Sequence, residues 1–100
     1  MSNAVYSIEQ IKSILTPIFK SYKVNRAVLF GSYVKGIATQ ESDIDLLVDS
    51  GLRGLRFVGL MEEVRNAVDK EIDMLDVSHI EKNSRIEDEI NRTGVLLYEE

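Results

Sequence analysis

The chain has 100 residues, enough for one domain with an ordinary core and too few for two. It has no cysteine and one histidine, His79, which excludes disulfide scaffolds, thiol nucleophiles and metal centres built on cysteine or on several histidines. Its 17 acidic residues outnumber 12 basic ones for a net charge of −5, a balance that disfavours nucleic-acid phosphates and suits a site that gathers metal cations.

Hydrophobic residues at 44% and charged residues at 29% make a globular composition, and residues 1–100 read as a single domain without repeat or linker. The start, Met1-Ser2-Asn3-Ala4, lacks the basic and apolar regions of a signal peptide. No apolar run approaches the ~20 residues of a membrane span. A soluble cytoplasmic protein is the expectation.

Ser7-Ile8-Glu9-Gln10 reads as a capping box, and Ile8, Ile11, Ile14, Leu15, Ile18, Phe19 and Tyr22 follow at helical spacing. Pro17, the only proline, is expected to kink this helix or split it near Thr16. Val24 to Phe30 reads as a buried strand, and residues 31–42 as a turn, a short helix and a loop. Asp43 to Val48 is a second strand, ended by Ser50-Gly51. Phe57, Leu60, Met61, Val64, Ala67 and Val68 mark an amphipathic helix over about residues 55–69. Glu71 to Val77 reads as a third strand. Ser84 caps a charged helix with Ile86 and Ile90 as its buried edge, Gly94 fits its C′ position, and Val95 to Tyr98 forms a last strand. This order predicts an α/β (α+β) fold: a small mixed sheet with helices packed on one face.

Strand periodicity then places the carboxylates. Asp43 and Asp45 share one face of the second strand, opposite Ile44, Leu46 and Val48. Asp73 points away from Ile72 and Met74 on the third strand. With the aliphatics in the core, the three aspartates converge on the opposite face. Carboxylates gathered in this way repel one another unless a cation neutralises them, and a hard divalent ion with oxygen ligands is the natural partner. Upstream, Gly31-Ser32 follows an apolar strand directly. The glycine lets a phosphate approach the backbone, and the Ser32 amide and hydroxyl can donate to phosphate oxygens. A phosphate cradle beside metal-binding carboxylates is equipment for phosphoryl or nucleotidyl transfer. Neither GxxxxGK[ST] nor GxGxxG occurs in the chain.

Residues 29–49, LFGSYVKGIATQESDIDLLVD, resemble the minimal nucleotidyltransferases of the polymerase-beta superfamily. Gly31-Ser32, residues 33–42 and Asp43-Ile44-Asp45 match the family's Gly-Ser, ten residues, Asp-x-Asp pattern without a gap, and Ile72-Asp73-Met74-Leu75 matches the context of its third carboxylate. The resemblance implies the nucleotidyltransferase fold, with Asp43, Asp45 and Asp73 as catalytic residues and Mg²⁺ ligands, two ions being expected. It also implies that Gly31 and Ser32 hold the phosphates of ATP, that AMP is transferred and that pyrophosphate leaves. Members this short resemble antitoxins that adenylylate a tyrosine of a HEPN-domain toxin. Where the family commonly carries Arg after Gly-Ser, this chain has Tyr33, with Lys35 as the remaining cation of the run.

Other readings stand beside these. Lys35 reads as either a phosphate contact or a solvated charge, and Tyr33 as a packing residue or a base-stacking one. Asp49 and Asp76 read as turn or capping residues, His79 as a loop residue, and Glu81 to Arg92 as a solvated helix face. At the level of function, the alternatives to the enzyme are an antitoxin acting by direct binding and a nucleotide-binding regulatory pseudo-enzyme.

Overall fold

A computed structural model describes residues 6–81 and 84–100. The chain start read above, Met1-Ser2-Asn3-Ala4, lies outside the described residues, as do Lys82 and Asn83. Helix α1 spans Ile8–Ser21 and buries Ile11, Leu15 and Phe19. Both halves of its capping box form: Ser7 Oγ accepts from the Gln10 amide at 3.1 Å, and Gln10 Oε1 accepts from the Ser7 amide at 2.8 Å. Of the kink or split expected at Pro17, the split does not occur, and one helix runs through it. Pro17 cannot donate to the Ser13 carbonyl, but both residues are exposed, so water can take that bond.

Strand β1 (Arg26–Phe30) leads through Gly31 into α2 (Ser32–Lys35), a single turn. Then follow β2 (Ile44–Asp49), α3 (Leu55–Val68), β3 (Ile72–Asp76), a 3-10 turn at Val77–His79, α4 (Arg85–Thr93) and β4 (Val95–Glu99). The sheet order is β3-β2-β1-β4. β1 pairs antiparallel with β2 and β4, whereas β2 and β3 are parallel, the crossover between them being made by α3.

Ala27 and Leu29 of β1, Ile44, Leu46 and Val48 of β2, and Met74 of β3 form the main core with α1 and with Leu60, Val64 and Val68 of α3. The expectation of helices on one face holds for α1 and α3 and needs correction for α4. A second cluster joins Val28, Leu47 and Ile90, flanked by Phe30, Leu75 and Ile80, so α4 lies on the other face. The reason is in the strands: β1 and β2 carry aliphatics at successive positions, and Val28 and Leu47 need cover of their own. Of the two α4 isoleucines expected at its buried edge, Ile90 supplies that cover, and Ile86 does not, being 41% exposed.

Gly94 also differs from expectation. It is extended (φ −64°, ψ 148°) and not left-handed. Its lack of a side chain serves close approach instead: a Cβ there would stand 2.6 Å from the Ile90 carbonyl oxygen and 2.7 Å from Val28 Cγ1. No described helix is long and apolar enough to cross a membrane.

Candidate active site

The second face of the sheet carries the carboxylates. Strand alternation sends Ile44, Leu46 and Val48 into the main core, so Asp45 and Leu47 face the other way. In the ladders Phe30 is opposite Asp45, and Asp45 is level with Asp73. One row therefore crosses three strands and brings two of the aspartates to the same height on one face. Asp43 stands one step before β2 and is exposed, as is Asp73.

Gly31 ties the Gly31-Ser32 segment to this row. Its backbone (φ 78°, ψ −148°) belongs to a region that only glycine enters readily. A Cβ at this position would overlap the Asp45 carboxylate. The chain thus turns directly over Asp45 before Ser32 opens α2, and the Val34 and Lys35 amides donate back to the Gly31 carbonyl. Since α2 is one turn long, its dipole is small.

The Asp45 carboxyl is pushed up to about 6, first by burial and then by the negative charges of Asp73, Asp43 and Glu89, with Lys35 opposing them. Asp43 and Asp73 therefore both act on Asp45. Lys35 Nζ lies 3.7 Å from Glu89 Oε2, so this cation stands among the acidic groups and is paired across to α4. Glu89 escaped the sequence reading, in which Glu81 to Arg92 is a solvated face. The only signal was its position beside the buried Ile90.

The remaining candidates fall to structural roles. Asp76 is 3% exposed and accepts four hydrogen bonds, from the Ser50 amide (3.1 Å) and hydroxyl (2.6 Å) and from the Ser78 amide (3.0 Å) and hydroxyl (2.7 Å). Burial pushes its carboxyl up, but the bonds from Ser50 and Ser78 outweigh this and hold it below the usual carboxylate value. Asp49 sits at the far end of β2, opposite Arg26. His79 Nδ1 accepts from the Asp76 amide at 3.2 Å, and its ring meets Phe57 edge-on at 5.4 Å. Tyr33 is buried in the main core, which removes the base-stacking reading; among the described residues its hydroxyl has no hydrogen-bond partner.

Among the described residues, no group of three acidic or histidine side chains is gathered so as to hold a metal ion as it stands. The donor chemistry nevertheless fits a hard divalent cation. Asp45 and Asp73 are level, all the donors are carboxylate oxygens, and the acidic field at Asp45 is one that a cation would reverse. A cleft of about 480 Å³, lined in part by Arg26, Leu47, Ile90 and Leu96, lies toward the Asp49 end of the same face and takes no part in this arrangement.

Residues 9–100 match the family described as polymerase beta nucleotidyltransferase. The chain belongs to that family. As a nucleotidyltransferase-family chain it is 37% identical over 76 residues to a Methanocaldococcus jannaschii protein named as a candidate protein adenylyltransferase, covering 74% of this chain and 82% of that one. It is 44% identical over 50 residues to the protein adenylyltransferase MntA of Thermococcus cleftensis, covering 46% of this chain and 50% of the relative. Its fold is that of a chain in a toxin–antitoxin crystal structure with AMP-PNP (TM-score 0.72, 22% identity, 89% of this chain and 73% of the other). It is also that of a chain in a complex of tri-AMPylated Shewanella oneidensis HEPN toxin with MNT antitoxin (TM-score 0.67, 19% identity, 93% and 73%).

Proposed function

We propose that this nucleotidyltransferase moves AMP from ATP to a tyrosine hydroxyl of a HEPN-domain toxin and so acts as its antitoxin. The observation that carries the reading is the level pair Asp45 and Asp73 with the Gly31 turn seated on Asp45. It supports a close approach of phosphate to the carboxylates at this turn. The names of the relatives, protein adenylyltransferases and a complex holding an AMPylated toxin, support the same reaction.

Gly31 and Ser32 hold the phosphates, the first by leaving room and the second by its amide and hydroxyl. Asp43, Asp45 and Asp73 would hold Mg²⁺, two ions being expected. When bound, the metal neutralises carboxylates and triphosphate and draws charge from the α-phosphate. Lys35 adds a point charge at the rim. The acceptor oxygen attacks the α-phosphorus, one O–P bond forms, and the bond to the β-phosphate oxygen breaks to release pyrophosphate. Asp73, exposed at the end of the row, takes the proton of the acceptor hydroxyl. Asp73 is exposed, and the partner supplies the acceptor.

The test is incubation with ATP, Mg²⁺ and the toxin, followed by mass spectrometry of the toxin and a toxicity-rescue assay. The reading expects an added AMP with wild type and none with Asp73→Asn. Full rescue by Asp43→Asn and Asp73→Asn at matched expression would leave a stoichiometric inhibitor in its place.

A further inference from the structure

Resting on that reading, we propose that Glu89 is a positioning residue of the nucleotide site, holding Lys35 where its ammonium meets the triphosphate. Lys35 ends the one-turn helix α2, and Glu89 reaches it from α4 at 3.7 Å. The two side chains are 49% and 38% exposed, so the pair adds little to stability. Its location gives it another use. It is an ion pair that joins the segment carrying Gly31-Ser32 to the helix on the carboxylate face.

Glu89 stands on a fixed support. Its neighbour Ile90 is buried against Val28 and Leu47, and Gly94 lets the end of α4 close onto Val28. Ser84 caps the other end by accepting from the Glu87 amide at 3.2 Å. A lysine carries four rotatable side-chain bonds and binds phosphate as a point charge, so holding it in place lowers the entropy lost when ATP arrives. The negative charge of Glu89 is also felt at Asp45, alongside Asp43 and Asp73. Without Lys35, a further carboxylate at this site would only repel the triphosphate. Glu89 therefore helps nucleotide binding through Lys35 and opposes it by itself.

That opposition makes the test sharp. A non-hydrolysable ATP analogue is titrated with Mg²⁺ into wild type, Glu89→Gln, Lys35→Gln and the double variant. Glu89→Gln is expected to weaken binding by about threefold, a size within reach of a partly exposed ion pair. In the Lys35→Gln background the same change is expected to leave binding equal or tighten it. A merely structural glutamate would weaken binding equally in both backgrounds, and that additivity would overturn the inference. Thermal melts accompany the titrations. If Glu89→Gln unfolds early, Glu89→Asp, which keeps the charge, is compared in the same two backgrounds with the same criterion. Wild type that fails to bind the analogue would overturn the nucleotidyl-transfer reading itself. Binding by wild type with an additive cycle would overturn only the role of Glu89.

Discussion

Replacing Asp45 by Asn should stabilise the metal-free protein while destroying its activity. The carboxyl of Asp45 is raised from 3.8 to about 6, so the fold accepts a proton more readily than the unfolded chain does. Between these values the folded state binds more protons. Its stability therefore falls as pH rises through that window and is lowest, as far as this group is concerned, above it. For a carboxylate sealed from water the displacement would amount to roughly 3 kcal/mol. Asp45 is partly exposed, and solvent screening reduces this to about 1 kcal/mol. Asparagine keeps the shape and removes the charge. The variant should then melt about 4–8 °C higher than wild type in EDTA at neutral pH, with the gain shrinking toward the acid end of the window. Denaturation followed by circular dichroism across pH checks this. A loss of stability, or a gain indifferent to pH, would show that the charges at Asp45 do not oppose one another as described.

Four further outcomes are expected. Leu46→Ala, emptying a fully buried position of the main core, should cost about 2–5 kcal/mol in urea unfolding. Gly31→Ala should cost about 1–3 kcal/mol through its backbone conformation, and isothermal titration should show lost nucleotide affinity because the new Cβ meets the Asp45 carboxylate. Asp76→Ala strands the Ser50 and Ser78 donors and should cost about 2–3 kcal/mol; since the Asp76 carboxyl is held low, wild type should lose this contribution as pH falls below the usual carboxylate value of 3.8, and Asp76→Asn should lack that acid-side loss. Moving an ATP titration from Mg²⁺ to EDTA should weaken binding clearly, and equal affinity would argue against the carboxylate site.

Much of this architecture was legible because it follows from alternation. The DIDLLV and EIDMLDV segments can turn Ile44, Leu46, Val48, Ile72 and Met74 into the main core only by turning Asp45 and Asp73 the other way, and the ladder brings those two level. The capping box at Ser7 was equally local. What escaped were features set by packing between distant segments. Pro17 leaves α1 whole because its missing bond faces water, a matter of which face is exposed. The side of the sheet that α4 covers depends on Val28 and Leu47, residues a strand pattern marks as buried without saying by what. Gly94 looked like a helix terminator and is required by the proximity of Val28. Glu89 lies in a run of charges whose periodicity shows one buried isoleucine, and only its meeting with Lys35 singles it out.

The central claim is that the carboxylate row transfers the α-phosphate of ATP to a protein hydroxyl. ATP labelled at the α-phosphate, and separately at the γ-phosphate, incubated with this protein, Mg²⁺ and the toxin, tests it most directly. The α-label should move to a toxin tyrosine with release of one pyrophosphate per AMP, the γ-label should leave in that pyrophosphate, and Asp45→Asn should abolish both. Transfer of the γ-label to the toxin, or toxin silenced with no label attached, would contradict the account.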